Sequence, residues 1–252
     1  MSLSTFVKGS ALTVGTLSLI GASSFGSVAI AASLVNGGFE SGLTGWTVVS
    51  QEGGRGSWYS THGELAPTTS LSIPAPSEGN QYAVTDQSNI GSHVLFQNIF
   101  LEAGATHSLS FQWFVNSLSE DGEMSDAGTM NKNVFPNQNF RVDIVSTLFS
   151  DWFSPSSSTG VLANILAPVA PSYSSWNHVS FDLTPWAGSS VRLALRQVDN
   201  QGYFNAGVDD VSVTSESVKS ESVPEPIAIL GTIMGLGGMA GARERQKRQK
   251  QA

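Results

Sequence analysis

The chain has 252 residues, no cysteine and a formal net charge of −8 at neutral pH. Without cysteine, no disulfide framework supports the fold. An acidic chain of this kind repels polyanions, which excludes nucleic acid as a general partner.

The first 31 residues carry one early charge, Lys8, and then an apolar region ending in Ala29-Ile30-Ala31. This is the layout of a secretory signal peptide, with cleavage expected after Ala31 or Ala32. Residues 32–214 are then an exported body of one domain, long enough for a full core. Setting aside Lys8 and the charges beyond Ala242 leaves six basic residues against 19 acidic ones, a net charge of −13. That charge favours solubility outside the cell and attracts divalent cations.

Strand signals follow along the body. HVLFQNIFL (93–101) is apolar on both faces, as a central strand would be. In THSLSFQWFVNS, His107, Leu109, Phe111, Trp113 and Val115 share one face, and Ser108, Ser110 and Gln112 share the other. A period of two marks a half-buried strand. Residues 117–139 read as a solvated loop holding Glu120, Asp121, Glu123 and Asp126. Their spacing does not fit an EF-hand. NFRVDIVS, HVSFDL, SVRLALRQV and GVDDVSVTS continue the alternation, with Arg192 and Arg196 on the polar side of the third. No long stretch of the body has a helical period. Short strands punctuated by Gly, Pro, Asn and Ser predict an all-β fold, an antiparallel β-sandwich.

Residues 215–223 read as a polar linker. Behind it come Pro224-Glu225-Pro226, an uncharged stretch from 227 to 242, and the basic residues Arg243, Arg245, Lys247, Arg248 and Lys250. A basic cluster behind an apolar stretch stays on the cytoplasmic side. The expectation is a short transmembrane helix, inserted transiently, with the C-terminus cytoplasmic.

Two resemblances add to this reading. Residues 224–252, with Pro-Glu-Pro, a short Gly-rich apolar stretch and an Arg/Lys tail in that order, resemble a PEP-CTERM sorting signal. The resemblance implies processing by an exosortase near Pro224-Glu225-Pro226 and release or transfer of the body to the cell envelope or its surroundings. The second resemblance lies in the body. LVNGGFESGLTGWTVV, the middle segment from Ala83 to Trp113, and the closing WNHVSFDLTPWAGSSVRLALRQVDNQGYFNAGVDDVSV are similar to galactose-binding-like jelly rolls of carbohydrate-binding modules. In such modules a structural calcium often joins the first and last strands. The resemblance implies Glu40 with Asp209 or Asp210 as its ligands. Calcium takes six to eight oxygens, and a Gly-rich turn such as Asn36-Gly37-Gly38 exposes carbonyls.

Sugar binding calls for exposed aromatic rings. Trp46, Trp113, Trp176 and Trp186 read as packing residues. Trp58, Tyr59 and Trp152 stand in Gly- and Ser-rich segments and are the candidate ligand contacts. Catalytic motifs are missing: there is no Gly-x-Ser-x-Gly, no His-Glu-x-x-His and no phosphate-binding glycine loop. The reading is a non-catalytic binding or structural component associated with extracellular polysaccharide. The alternatives are a carbohydrate-active enzyme with an unrecognised acid pair, and a surface protein with no specific ligand.

Overall fold

A computed structural model describes residues 34–117, 125–154, 159–168 and 173–218. It contains ten strands: β1 (Thr47–Ser50), β2 (Ser57–Thr61), β3 (Tyr82–Asp86), β4 (Gly91–Phe100), β5 (Ala105–Ser117), β6 (Gln138–Ser146), β7 (Val161–Leu166), β8 (Tyr173–Asp182), β9 (Ser190–Asp199) and β10 (Phe204–Ser217). They form two antiparallel five-stranded sheets, ordered β1-β4-β9-β6-β7 and β2-β3-β10-β5-β8. The expected jelly-roll-like β-sandwich is the observed architecture. β10 pairs with β5 through Ser217, so the strand continues into the segment expected as linker.

The membrane expectation is corrected. Among the described residues no helix is long and apolar enough to cross a membrane, and the helical element there is a single 3-10 turn at Thr184–Trp186. The transmembrane helix, and with it the transient membrane insertion and the cytoplasmic C-terminus, is withdrawn. Its physical basis was thin: 16 residues with five glycines fall short of the roughly 20 apolar residues that span a bilayer. That segment lies outside the described residues. So do the signal peptide, Pro224-Glu225-Pro226, the basic tail, and Glu120, Asp121 and Glu123.

The sheets pack through their alternating apolar positions. Leu109, Phe111, Trp113 and Val115 of β5 face Leu95 and Ile99 of β4, Phe140, Val142 and Ile144 of β6, and Val191, Leu193 and Leu195 of β9. β4 is apolar on both faces because its outer face is also covered. The β6–β7 connection folds back as a strap, 147–154, and lays Phe149 and Trp152 on Val94, Val145 and Ala194. Trp152 stacks on Phe96 at 4.9 Å, and the Arg192 guanidinium lies 4.2 Å from the centre of the Phe96 ring. Beside this cluster Asp143 accepts both Arg141 (2.9 and 2.8 Å) and Arg196 (3.0 Å), and all three side chains are buried.

Towards one end of the sandwich the inward positions turn polar. His93, Gln138, Gln197 and Asp199 are buried there. Asp199 accepts Gln87 Nε2, Gln138 Nε2 and the backbone N–H groups of Gln201 and Gly202. This polar end carries the 51–56, 125–137 and 200–203 loops.

Candidate functional site

The opening and closing motifs do meet. Asn36 and Phe39 take positive φ, +52° and +54°, which folds Asn36-Gly37-Gly38-Phe39 into a tight turn. The Asn36 amide closes the turn on Gly42 O and Thr44 O, both at 2.9 Å. Gly37 O then accepts Val211 N at 3.0 Å. A Cβ on Gly37 would sit 1.7 Å from Val211 O, so the approach of the two backbones requires glycine.

Two of the three candidate metal carboxylates, those of Glu40 and Asp209, reach the 77–81 turn. Glu40 Oε1 accepts the N–H groups of Asn80 (2.6 Å) and Gln81 (2.9 Å), and Oε2 accepts Asn80 Nδ2 at 3.4 Å. These bonds, that from Asn80 first, hold its carboxyl below the ordinary value. Asp209 sits at a bulge in β10, where Asp210 takes φ +49°. Its Oδ2 accepts Ser77 N, Ser77 Oγ and Glu78 N, and its Oδ1 accepts Asp210 N. Burial pushes the Asp209 carboxyl up, against the pull of these donors.

A carboxylate offers about four lone-pair sites. Three donors converge on Asp209 Oδ2 and one reaches Oδ1, and three reach Glu40. Among the described residues no group of three or more His, Cys, Asp or Glu stands ready for a metal. As arranged, Glu40 and Asp209 fit a hydrogen-bonded clasp on the 77–81 turn, and Asp210 joins it through its N–H on Asp209 Oδ1. A calcium ion would need those donors to give way.

The candidate sugar contacts are placed differently from one another. Trp58 is 2% exposed and packs towards Phe140 in the inter-sheet core. Trp152 is 7% exposed, held between Phe96 and Phe149. Tyr59 is half-buried on β2, facing away from Trp58. The structure does not bring the three together, and neither tryptophan presents a free ring face.

Of the three exposed aromatics among the described residues, Phe100 closes β4 at the end away from the polar one, and two stand at the polar end, Phe135 at 73% and Tyr203 at 45%. Their loops are zipped by asparagines. Asn200 Nδ2 donates to Lys132 O (2.8 Å) and Val134 O (2.7 Å), and Asn200 Oδ1 accepts Asn137 N (2.8 Å). Asn137 Nδ2 donates to Thr129 O at 2.8 Å. Gln51 accepts Lys132 N at 2.9 Å and donates to Asn131 Oδ1 at 2.8 Å, which ties in the 51–56 loop. Asp199 pins the turn before Tyr203, and burial raises its carboxyl. With main-chain groups so occupied, the rings project from a rigid frame. Phe135 and Tyr203 are not among the sequence-expected ligand contacts. The available signal was an aromatic residue inside Asn-rich loops, NKNVFPNQN and DNQGYFN.

At the opposite end, a shallow depression of about 550 Å³ on the outer face of the β10-β5-β8 sheet is lined by Thr106, Ser108, Ser180, Asp182, Thr214 and Glu216. Asp182 is held below its ordinary value, first by the Thr184 hydroxyl. A general acid for glycoside hydrolysis needs the opposite shift.

The chain matches no family model. No curated protein matches it. Solved structures with a distant likeness to the chain include the following three. The K3 cleaved adhesin domain of Lys-gingipain from Porphyromonas gingivalis is 13% identical, with 75% of this chain and 99% of that one covered and a TM-score of 0.45. TmCBM61, in complex with β-1,4-galactotriose, is 13% identical over 71% and 95%, with a TM-score of 0.43. A family 16 carbohydrate-binding module is 14% identical over 71% and 96%, with a TM-score of 0.39. The likeness is to the jelly-roll-like sandwich of carbohydrate-binding modules and adhesin domains. Such distant likeness transfers no residue role, and the fold rests on the strand pairing described above.

Proposed function

We propose that this is an exported, non-catalytic glycan-binding protein whose Asn-zipped loop end packs Phe135 and Tyr203 against sugar rings. The observation that supports it most is the exposure of these two rings on a hydrogen-bonded frame. Exposed apolar rings held rigid at loop tips are a contact surface rather than core. Rigidity limits the entropy lost on binding.

Affinity electrophoresis through gels containing neutral and acidic polysaccharides tests the reading. The parent should be retarded by at least one polymer. Phe135→Ala and Tyr203→Ala should each weaken that retardation about tenfold, the effect of about 1.4 kcal/mol, with Tm unchanged. Full retention in both variants, or no retardation of the parent by any polymer, overturns the proposal. New reducing ends after incubation would make the protein an enzyme.

In the same reading this activity belongs in the cell envelope or extracellular polysaccharide, after signal-peptide cleavage and exosortase processing near Pro224-Glu225-Pro226; the layout of the two termini supports it. Intact mass of protein from its native source tests that part. Most molecules should lack both the first 31 or 32 residues and the Arg/Lys tail. A retained tail overturns the exosortase step.

A further inference from the structure

We infer that the sugar bound at the loop end carries a carboxylate and that Lys132 receives it. This rests on the glycan-binding reading above and adds the chemical class of ligand.

Lys132 lies three residues before Phe135 and is 6% exposed. Its ammonium has three N–H donors, and its hydrogen bond is a single one to the neutral Asn133 Oδ1 at 3.2 Å. Two other described cations are as deeply buried, Arg141 and Arg196, and both are paired with Asp143. Lys132 has no carboxylate within 4 Å among the described residues. Glu52, near it at the 51–54 turn, is exposed and forms no ion pair with it. Asp199 and Asp86, buried acids towards this end, are each already occupied by four donors. A buried charge without a counter-charge is unfavourable, and natural structures compensate it.

Two glycines line the lysine side chain. The side chain runs along Gly53-Gly54. Lys132 Cδ is 3.4 Å from where a Cβ on Gly54 would stand, and Nζ is 3.8 Å from where one on Gly53 would stand. Gly53 has φ +69°, which disfavours any other residue there. An ammonium three residues from an exposed ring on the same loop suits a uronic acid: the ring face packs on the aromatic and the carboxylate meets the ammonium. The body's charge of −13 repels polyanions in general, so such binding requires this local cation and short-range contact.

The full chain contains five lysines, so lysine labelled with ¹³C gives few ε-CH₂ signals, and Lys132→Arg identifies that of Lys132. Glucuronate should shift this signal saturably. Glucose with sodium chloride added to equal ionic strength should not. In gels, polygalacturonate should retard the parent at least tenfold more strongly than its methyl-esterified counterpart, and Lys132→Met should remove that difference. If the Lys132 signal responds equally to both sugars, or to neither, the inference falls, and Phe135-dependent retardation by neutral polymers would still uphold glycan binding. A glucuronate-specific shift with no dependence on Phe135 would uphold the carboxylate site and sink the aromatic platform.

Discussion

Asp143 offers a severe test of how the strap-covered face is held. It accepts 2.9 and 2.8 Å hydrogen bonds from Arg141, 3.0 Å from Arg196 and 2.8 Å from Asn164. Asp143→Ala removes the shared acceptor and leaves both guanidinium groups in place, Arg141 5% exposed and Arg196 fully buried. The burial of Arg196 already disfavours its charged form, and Asp143 is the main opposing influence. Breaking a buried pair from one side costs about 3–5 kcal/mol, a large part of the roughly 5–15 kcal/mol that holds a domain folded. For a domain of this size the loss lowers Tm by roughly 6 to 20 °C. Urea unfolding followed by tryptophan fluorescence should show a lower midpoint at unchanged m. Added salt should not reproduce the loss, because the pair is shielded from solvent ions. Leu148→Ala, at an 89% exposed position of the strap, should change stability by less than about 0.5 kcal/mol. Replacing Arg141, Asp143 and Arg196 together by Met, Leu and Met should restore most of the loss, since an apolar substitute carries no desolvated charge. An Asp143→Ala variant within about 1 kcal/mol of the parent would refute the reasoning, because the arginines would then have another counter-charge or reach water.

His93 should make the protein sensitive to mild acid. Burial lowers its pKa to about 4, so between the ordinary value near 6.5 and about 4 the unfolded chain binds a proton that the folded one refuses. Its contribution is complete above pH 6.5 and is lost as pH falls through 4, about 3 kcal/mol in all. His93→Gln should remove that part of the slope in urea midpoints, while the raised carboxyls of Asp199 and Asp209, which act in the opposite direction, stay common to both proteins. Gly37→Ala brings a Cβ to 1.7 Å from Val211 O and should cost about 3 kcal/mol or more. Gly38→Ala meets nothing within 4 Å and should stay within about 0.5 kcal/mol; equal Tm values for the two would mean that the turn docks differently. The clasp and a calcium ion make opposite demands on Glu40 and Asp209. With the clasp alone, EDTA leaves Tm unchanged and Glu40→Gln lowers it, whereas a chelator-sensitive Tm that Glu40→Gln renders insensitive would place an ion there.

Much of the sandwich was legible in the sequence because a strand's side chains alternate irrespective of what lies above them. β5 could be read residue by residue on that ground, and so could the inward face of β9, whose other face, with Arg196, the strap covers. The meeting of the opening and closing motifs followed from resemblance, and Glu40 and Asp209 do reach the same turn. What occupies their oxygens depends on how the 77–81 backbone presents its N–H groups, and no local pattern encodes that. Nor does the pattern distinguish Gly37 from Gly38: one faces another strand's carbonyl and the other faces open space. β4 showed two apolar faces without showing why, since the covering strap arrives from the β6–β7 connection about 50 residues further along the chain. The same strap buries Trp152, and the second sheet buries Trp58, so two rings that looked available in Gly- and Ser-rich surroundings became core. Phe135 and Tyr203 went the other way. Residues 131–137 and 200–203 are more than 60 positions apart, and it is Asn137, Asn200 and Gln51, bonding across that distance, that turn two ordinary loops into one frame and leave the rings in water. Exposure, the property a binding ring needs, is a relation between a side chain and everything folded around it, and tertiary packing alone decides it.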